Sequence, residues 1–152
     1  MLESATDGRG NTTTLSLDAW GNAAQIQTPE GRTSSFSYTP APAAITALQG
    51  GLVITATDPR GSLTKTEYFQ PGDKNGKTTL SGLVKQVTAG LGVSGLTVKP
   101  TDKTVQTFTY DPQRNPESRT QKMDGVGPDR KKSYVYDLLN RLVTLTSTTG
   151  HT

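Results

Sequence analysis

The chain has 152 residues, enough for one domain, but only 31% of them are hydrophobic, which is low for a compact globule. The net charge of +3 comes from mixed charges, and no basic stripe with interleaved aromatic residues indicates nucleic-acid binding. The absence of cysteine excludes disulfides and thiolate metal sites, and no apolar run is long enough to span a membrane. This composition suits twisted β-sheet with one wetted face.

The first part of the chain predicts short strands joined by tight turns. Apolar side chains recur at every second position in 13–17, in 24–26 and in 36–38, which is typical of half-buried strands. The following stretch, 40–51, is rich in proline and alanine and breaks this rhythm. We interpret 40–51 as an insertion that contains a single helical turn at 45–48.

The remaining elements continue the same pattern. Strands are predicted at 52–57 and 63–69, then at 83–88 and 96–99 around a glycine-rich connection at 89–95. The glycines of 89–95 are not followed by an amphipathic helix, so they predict a loop and not a dinucleotide site. Strands 105–110, 133–136 and 142–146 complete the chain, and Arg130, Lys131 and Lys132 are expected at a solvated hairpin tip. The predicted fold is all-β, an antiparallel β-hairpin meander forming a single repeat region over 1–152.

One turn signature recurs between these strands: Asp-x-x-Gly followed by a polar residue. Asp at the first position can accept hydrogen bonds from backbone amides of the turn, and Gly at the fourth adopts positive φ without a Cβ penalty. Thr28 replaces Asp in one copy, and Asn140 and Arg114 replace Gly in two others. At Arg114 we expect strain on the order of 1 kcal/mol or a different turn. The predicted turn residues are Asp7, Gly10, Asp18, Gly21, Gly31, Asp58, Gly61, Asp73, Gly76, Tyr110, Asp111, Tyr136, Asp137, Asn140 and Arg141, with a further turn at 124–127.

Residues that could support catalysis are sparse. His151 is the only histidine, so the chain cannot assemble a Ser-His-Asp triad or a multi-histidine metal site. The turn aspartates are hard oxygen ligands that calcium could use, but an Asp that caps its own turn has its oxygens occupied. Glu30, Glu67 and Glu117 lie on separate elements and do not suggest a glycosidase pair. We therefore predict no catalytic, cofactor-binding or metal-binding residues, and no enzyme.

Aromatic side chains offer a binding alternative, because exposed rings on a sheet can stack on sugars. The five tyrosines are better explained as cross-strand packing residues. Trp20 lies at the third position of its turn and is the candidate ligand contact.

The segment Tyr136-Asp137-Leu138-Leu139-Asn140-Arg141-Leu142 resembles the Tyr-Asp-x-x-Gly-Arg-Leu core of YD repeats. Such repeats occur in bacterial RHS proteins, toxin-complex C components and teneurins. The pair Tyr110-Asp111 and the turns at Asp7 and Asp18 are similar to the same unit, so the resemblance covers about 5–38, 52–77 and 105–147. It implies a spiralling β-sheet that forms a hollow shell around a C-terminal cargo, often a toxin. Some family members cleave themselves at an Asp-Pro-x-Gly-Leu motif, but Ser62 interrupts the similar segment after Asp58, and no protease activity is expected.

The resemblance leads to two functional hypotheses. In the first, the chain is a structural segment of an RHS-type shell that encapsulates or scaffolds a toxin or effector, without turnover. Its partners would be that cargo, the remaining repeats of a longer shell, or further copies pairing through open sheet edges, with no nucleic acid and no membrane span. The chain would be a fragment of a protein secreted or displayed by a specialised export system, cytoplasmic before export, since it shows no signal peptide. In the alternative, it is a surface adhesion or carbohydrate-binding module.

Overall fold

A computed structural model describes residues 2–39, 51–92, 103–123 and 129–150. These residues form strands and turns, and no helix occurs among them. The strands are β1 (Leu2–Thr6), β2 (Thr12–Leu17), β3 (Ala23–Gln27), β4 (Thr33–Tyr38), β5 (Val53–Thr57), β6 (Ser62–Tyr68), β7 (Lys74–Asn75), β8 (Thr78–Thr79), β9 (Val84–Gly92), β10 (Thr104–Tyr110), β11 (Pro116–Met123), β12 (Arg130–Tyr136) and β13 (Leu142–Thr149).

Eleven of the strands form one antiparallel sheet in the order β1-β2-β3-β4-β5-β6-β9-β10-β11-β12-β13. Each strand pairs with its neighbour in the chain, apart from β7 and β8, which make a separate small hairpin between β6 and β9. Strands β1 and β13 lie at the two edges, so the sheet is not closed. The prediction of an all-β antiparallel meander is confirmed.

The strands differ from the prediction in several places. Strands β1, β7, β8 and β11 were not predicted, and β11 in particular lacks apolar alternation because its side chains are polar or charged on both faces. Strand β9 continues through Gly92, so residues 89–92 of the predicted loop belong to a strand. Residues Arg130–Lys132 begin β12 and do not form a hairpin tip. The predicted helical turn at 45–48, strand at 96–99 and turn at 124–127 lie outside the described residues.

The strand register divides the side chains between two faces of different chemistry. On one face, which we call the apolar face, cross-strand partners include Leu15 with Ile26 and Phe36 with Ala56. Alternation places these members of the apolar face on one side: Leu15, Ile26, Phe36, Ala56, Val87 and Phe108. The opposite face, the hydroxyl face, carries mostly serine and threonine: Thr14, Ser16, Ser35, Ser37, Thr55, Thr57, Thr88, Thr107, Thr109, Ser118, Thr120, Ser133, Thr144 and Thr146.

Hydroxyl groups of neighbouring strands bond to each other across the hydroxyl face. Thr109 Oγ1 lies 2.8 Å from Ser118 Oγ, and Ser37 and Thr55 form an equivalent hydroxyl pair. These bonds satisfy polar groups that the sheet partly buries, since Thr88 and Ser118 of this face are each only 7% exposed.

No second layer of described residues covers the apolar face. Among the described residues, Leu80 is the only buried hydrophobic side chain, and no large side chain is fully buried. The chain exposes 10338 Å², whereas a compact monomer of its mass would expose about 7,500 Å². The sheet therefore lacks the packed core that a two-layer domain would have.

The described part of the chain contains no helix of the length and hydropathy that crossing a membrane requires.

Candidate functional site

Six turns of the sheet share one hydrogen-bonding scheme. In the first, the amide of Asp7 donates to the Asn11 carbonyl over 2.9 Å, and the amide of Gly10 donates to the Asp7 carbonyl over 3.0 Å. The same two bonds recur in the turns that begin at Asp18, Thr28, Asp58, Asp111 and Asp137. The fourth residue has positive φ in every copy, as a type I turn closed by a left-handed residue requires: Gly10, Gly21, Gly31, Gly61, Arg114 and Asn140.

The turn aspartates use their carboxylate oxygens within the turn. Asp18 Oδ1 accepts hydrogen bonds from the amides of Trp20 at 2.8 Å and Asn22 at 2.9 Å, and Oδ2 accepts from the Asn22 side chain at 3.0 Å. The bond from the Asn22 side chain is the main reason that the pKa of Asp18 is lowered. Sequence reasoning did not identify this role of the fifth residue, which also appears at Asn11.

Two other capped aspartates behave in the same way. The Asn11 side chain lowers the pKa of Asp7, and the backbone and side chain of Arg141 lower the pKa of Asp137. The Arg141 Nε lies 2.7 Å from Asp137 Oδ2. Because these oxygens already accept several bonds, they are poorly placed to bind calcium. Among the residues that the structure describes, no three acidic or histidine side chains cluster as metal ligands would.

The turn predicted at Asp73 is wrong. Gly76 and Lys77 form a two-residue loop between β7 and β8, in which Asn75 pairs with Thr78. Asp73 lies before this loop and accepts a hydrogen bond from the Gln70 amide over 2.7 Å. Gly76 has a φ of 60°, which a two-residue hairpin loop demands at its first position. The Asp-x-x-Gly spacing here is therefore incidental.

Two other turns each contain an insertion but keep the two backbone hydrogen bonds of the scheme. The amide of Thr39 donates to the Leu52 carbonyl and the amide of Gly51 to the Thr39 carbonyl, although 40–50 separates them. Phe69 and Gly82 repeat this arrangement around a second insertion, and Gly82 has a φ of 80°. Gly51 thus belongs to the turn and not to the insertion predicted at 40–51. Each insertion replaces the two central residues of a turn.

All five turns at one end of the sheet are followed by a β-bulge, and we call this end the bulge end. Tyr38 pairs with Val53 after a shift in register, and Tyr68 pairs with Val84 in the same way. The positions equivalent to Tyr38 are Leu17, Tyr68, Tyr110 and Tyr136. A bulge increases local twist and bends the strand, so its repetition along one end curves the whole sheet in one direction.

The tyrosines connect successive bulges. Three of the four tyrosine hydroxyls donate to the carbonyl of the bulge on the preceding strand, Tyr38 to Ala23 over 2.8 Å and Tyr68 to Val53 over 2.8 Å. Tyr110 likewise donates to Val84 over 2.9 Å. We call this series the tyrosine ladder. Burial raises the pKa of Tyr68 and of Tyr110, which keeps the donating hydroxyl protonated.

The second insertion packs against the turn at Asp111. The Arg114 guanidinium donates to the carbonyls of Thr79 over 2.8 Å and Ser81 over 3.4 Å. The Asn75 side chain donates to the Tyr110 carbonyl over 2.6 Å. These contacts explain why arginine occupies a position that glycine fills elsewhere, because glycine could not reach the insertion. The strain of its positive φ, on the order of 1 kcal/mol, is offset by these bonds.

Trp20, the predicted ligand contact, is 69% exposed at the tip of its turn at the bulge end. The turn that begins at Asp137 also presents apolar side chains, Leu138 and Leu139, to solvent. The two turns lie between β2 and β3 and between β12 and β13, so eight strands of the sheet separate them. Trp20 and these leucines therefore do not form one apolar surface.

A shallow cavity of about 330 Å³ lies near the bulge end beside β5, β6 and β9. Ile54, Tyr68 and Lys85 line it, and Lys65 pairs with Glu67 at 2.8 Å at its margin. Neither a histidine nor a second carboxylate lines this cavity, so no base–nucleophile pair forms there.

A comparison with protein-family models gives no match to the chain, and a comparison with curated proteins gives no significant match.

Proposed function

We propose that the chain is a structural segment of an RHS-type β-shell, whose apolar face contacts a toxin or effector polypeptide or adjoining repeats of a longer shell. It would act by sequestration, without catalytic turnover. The observation that carries the proposal is the single-layer sheet with an uncovered apolar face. The side chains of this face are only half-buried, and no described element packs over them. Packing against a partner would complete their burial.

The size of the face suits a macromolecular partner. The named apolar side chains run from β2 to β10, seven strands of the sheet, which span about 30 Å at a spacing of about 4.8 Å, and strands of six residues are about 20 Å long. This part of the face therefore covers about 600 Å², close to the roughly 800 Å² that each partner contributes to a standard protein interface. A small molecule would leave most of it exposed.

Curvature supports the choice of a wall. A β-bulge follows every turn at the bulge end, and three tyrosine hydroxyls each bond to the bulge on the preceding strand. One further register shift, between Leu63 and Lys65, lies at the opposite end of the sheet. A repeating unit that bends the sheet by a constant amount produces a curved surface along its length. Such a surface can surround a polypeptide, and the same repeat can be extended at β1 and β13.

The chemistry of the polar residues favours a structural role over turnover. The turn aspartates accept bonds from their own turns, and three tyrosine hydroxyls donate to backbone carbonyls. Their hydrogen-bonding capacity is thus used to hold the repeat together. Secretion or surface display through a specialised export system belongs to the same proposal.

The alternative, an adhesion or carbohydrate-binding module, depends on the exposure of Trp20. A glycan array separates the two. Binding above background that Trp20→Ala abolishes would favour the alternative, and a signal at background level would exclude the glycans on the array as ligands.

Binding of an unfolded polypeptide tests the proposal. A reduced, carboxymethylated polypeptide with a fluorescent label is titrated with the chain, and the anisotropy is measured. We expect saturable binding that the folded form of the same polypeptide does not show. Equal binding of the folded and unfolded forms, or none of either, would argue against sequestration through an apolar surface.

A further inference from the structure

A cluster of positive charge lies on the apolar-face side of strands β11 and β12. Arg119 and Lys132 are directly opposed in the register, and Gln121 and Arg130 form the next pair on the same face. These four residues line a cavity of about 240 Å³. We call them the cationic cluster. Three of the four carry a full positive charge, and Gln121 adds two amide donors.

The cationic cluster has no acidic partner in the described part of the chain. The ion pairs there join Lys65 to Glu67, Lys122 to Asp129 and Arg141 to Asp137, and none involves the cluster. Lys122 differs from the cluster in this respect. It lies on the same strand as Arg119 but on the opposite face, and it forms an ion pair with Asp129 at 3.3 Å.

Like charges directly opposite each other on neighbouring strands are destabilising. Arg119 and Lys132 are in this position, and Arg130 lies two residues from Lys132 on the same face. Arg119 is also half-buried, next to Phe108 of β10, so its charge is less well solvated than one at a free surface. An anion between the two strands would remove the repulsion.

We propose that the cationic cluster binds a tetrahedral oxyanion, a phosphate or sulfate group. The forked guanidinium groups of Arg119 and Arg130 can each donate two parallel hydrogen bonds to such a group, and Lys132 adds a point charge. The cavity is smaller than the 300–1,000 Å³ typical of drug-sized ligands, which fits a compact anion. This assignment does not depend on the proposed function of the apolar face.

Titration with inorganic phosphate tests the site. Amide proton and nitrogen shifts of the intact chain are followed by NMR while phosphate replaces chloride at constant ionic strength. We expect saturable shifts centred on Arg119, Gln121, Arg130 and Lys132. Substitution Lys132→Gln is expected to weaken the affinity about tenfold, the equivalent of one charge-assisted hydrogen bond. A parallel titration with O-phosphoserine distinguishes a free anion from a phosphate ester, since a site for esters binds phosphoserine more tightly.

Lys131→Gln is the matched control, because it removes one charge from the adjacent position on the opposite face. It should leave the phosphate affinity unchanged. Lys132 is exposed, so its substitution should preserve the fold, and the NMR spectrum without phosphate checks this. The proposal would be overturned by shifts that do not saturate, by equal shifts with chloride alone, or by equal weakening in Lys131→Gln and Lys132→Gln.

Discussion

The hydroxyl of Tyr68 donates a 2.8 Å hydrogen bond to the carbonyl of Val53, the residue that forms the β-bulge opposite Tyr38. Each tyrosine of the ladder thus faces one bulge and bonds to the preceding one. The bond joins β5 to β6 at the end opposite their own turn, so it connects two successive turns of the bulge end. In a sheet without a covering layer, such links replace part of the stabilisation that a core would give.

Substitution Tyr68→Phe should therefore lower the free energy of unfolding by about 1 kcal/mol, since it leaves a half-buried carbonyl without its donor. Tyr136→Phe is the matched control. Tyr136 occupies the equivalent position at the bulge of Leu142, and its hydroxyl forms no bond to a described residue. Urea unfolding followed by circular dichroism measures both variants. Equal destabilisation by the two substitutions would contradict the role of the ladder.

Acid should weaken the turns. The pKa values of Asp7, Asp18 and Asp137 are lowered in the folded chain, so unfolding raises them and the unfolded state binds protons first. Their contribution is therefore present above the ordinary Asp pKa of 3.8 and is lost as pH falls through the lower folded values. The triple variant with Asn at these positions should show a flatter dependence of the urea midpoint on pH between about 2 and 5. A slope equal to that of the unmodified chain would refute this.

The turn at Thr28 can be improved. Its scheme matches the others, but the threonine hydroxyl forms neither of the amide bonds that Asp18 Oδ1 accepts. It interacts with the Glu30 carboxylate instead and lowers the pKa of that group. Substitution Thr28→Asn supplies an uncharged acceptor that reaches both amides. We expect a gain of about 0.5–1 kcal/mol in the free energy of unfolding. Asp18→Asn is the control, because asparagine keeps the acceptor oxygen at that position. Its free energy of unfolding should change by less than the gain expected for Thr28→Asn.

Substitutions at Arg114 can separate the cost of its positive φ from the stabilisation by its side-chain hydrogen bonds. Alanine and glycine at this position both lose the bonds to Thr79 and Ser81. Only alanine keeps the cost of a side chain at a φ of 72°. Arg114→Gly should therefore be more stable than Arg114→Ala by about 1 kcal/mol. Thermal unfolding of the two variants provides the comparison, and a less stable glycine variant would show that strain at this position is unimportant.

Strand β13 should promote association of the chain with itself. It is an edge strand, carries no charged residue, and exposes Leu142, Val143 and Leu145 by half or more. We expect a molar mass that rises with concentration in light scattering. Leu145→Lys places a charge on this edge and should shift the distribution toward the monomer. A monomeric chain at all concentrations would exclude edge pairing.

The sequence supports the all-β prediction because turn chemistry is local. Asp accepts amides two and four residues away, and Gly or Asn tolerates positive φ, so a five-residue window contains the whole motif. A local motif also produced the wrong prediction of a turn from Asp73 to Gly76, because Gly76 belongs to a two-residue hairpin loop. Spacing alone does not distinguish the two turn types.

The tyrosine ladder was not predicted because its bonds are not local. Tyr38 and Tyr68 precede turns in which Thr39 and Phe69 replace Asp and an insertion separates the two halves. Each of these tyrosines lies 15 residues after its acceptor, and this constant spacing is the sequence signal that could have indicated the ladder. Strand β11 was missed because polar side chains cover both of its faces. The cationic cluster depends on the register of β11 with β12, which no short motif encodes.

The central claim is that the apolar face holds the polypeptide partner, and a pair of matched variants tests it most directly. Ile26→Thr with Val87→Thr makes the apolar face more polar, whereas Val105→Thr with Val135→Thr makes the same kind of change on the hydroxyl face. Threonine keeps the β-branched shape, so the strands should persist. Anisotropy titrations with the labelled unfolded polypeptide should show about thirtyfold weaker binding for the first variant, since each of its two substitutions removes on the order of 1 kcal/mol of apolar contact. Binding of the second variant should be unchanged. Equal affinities for the two variants would contradict the account.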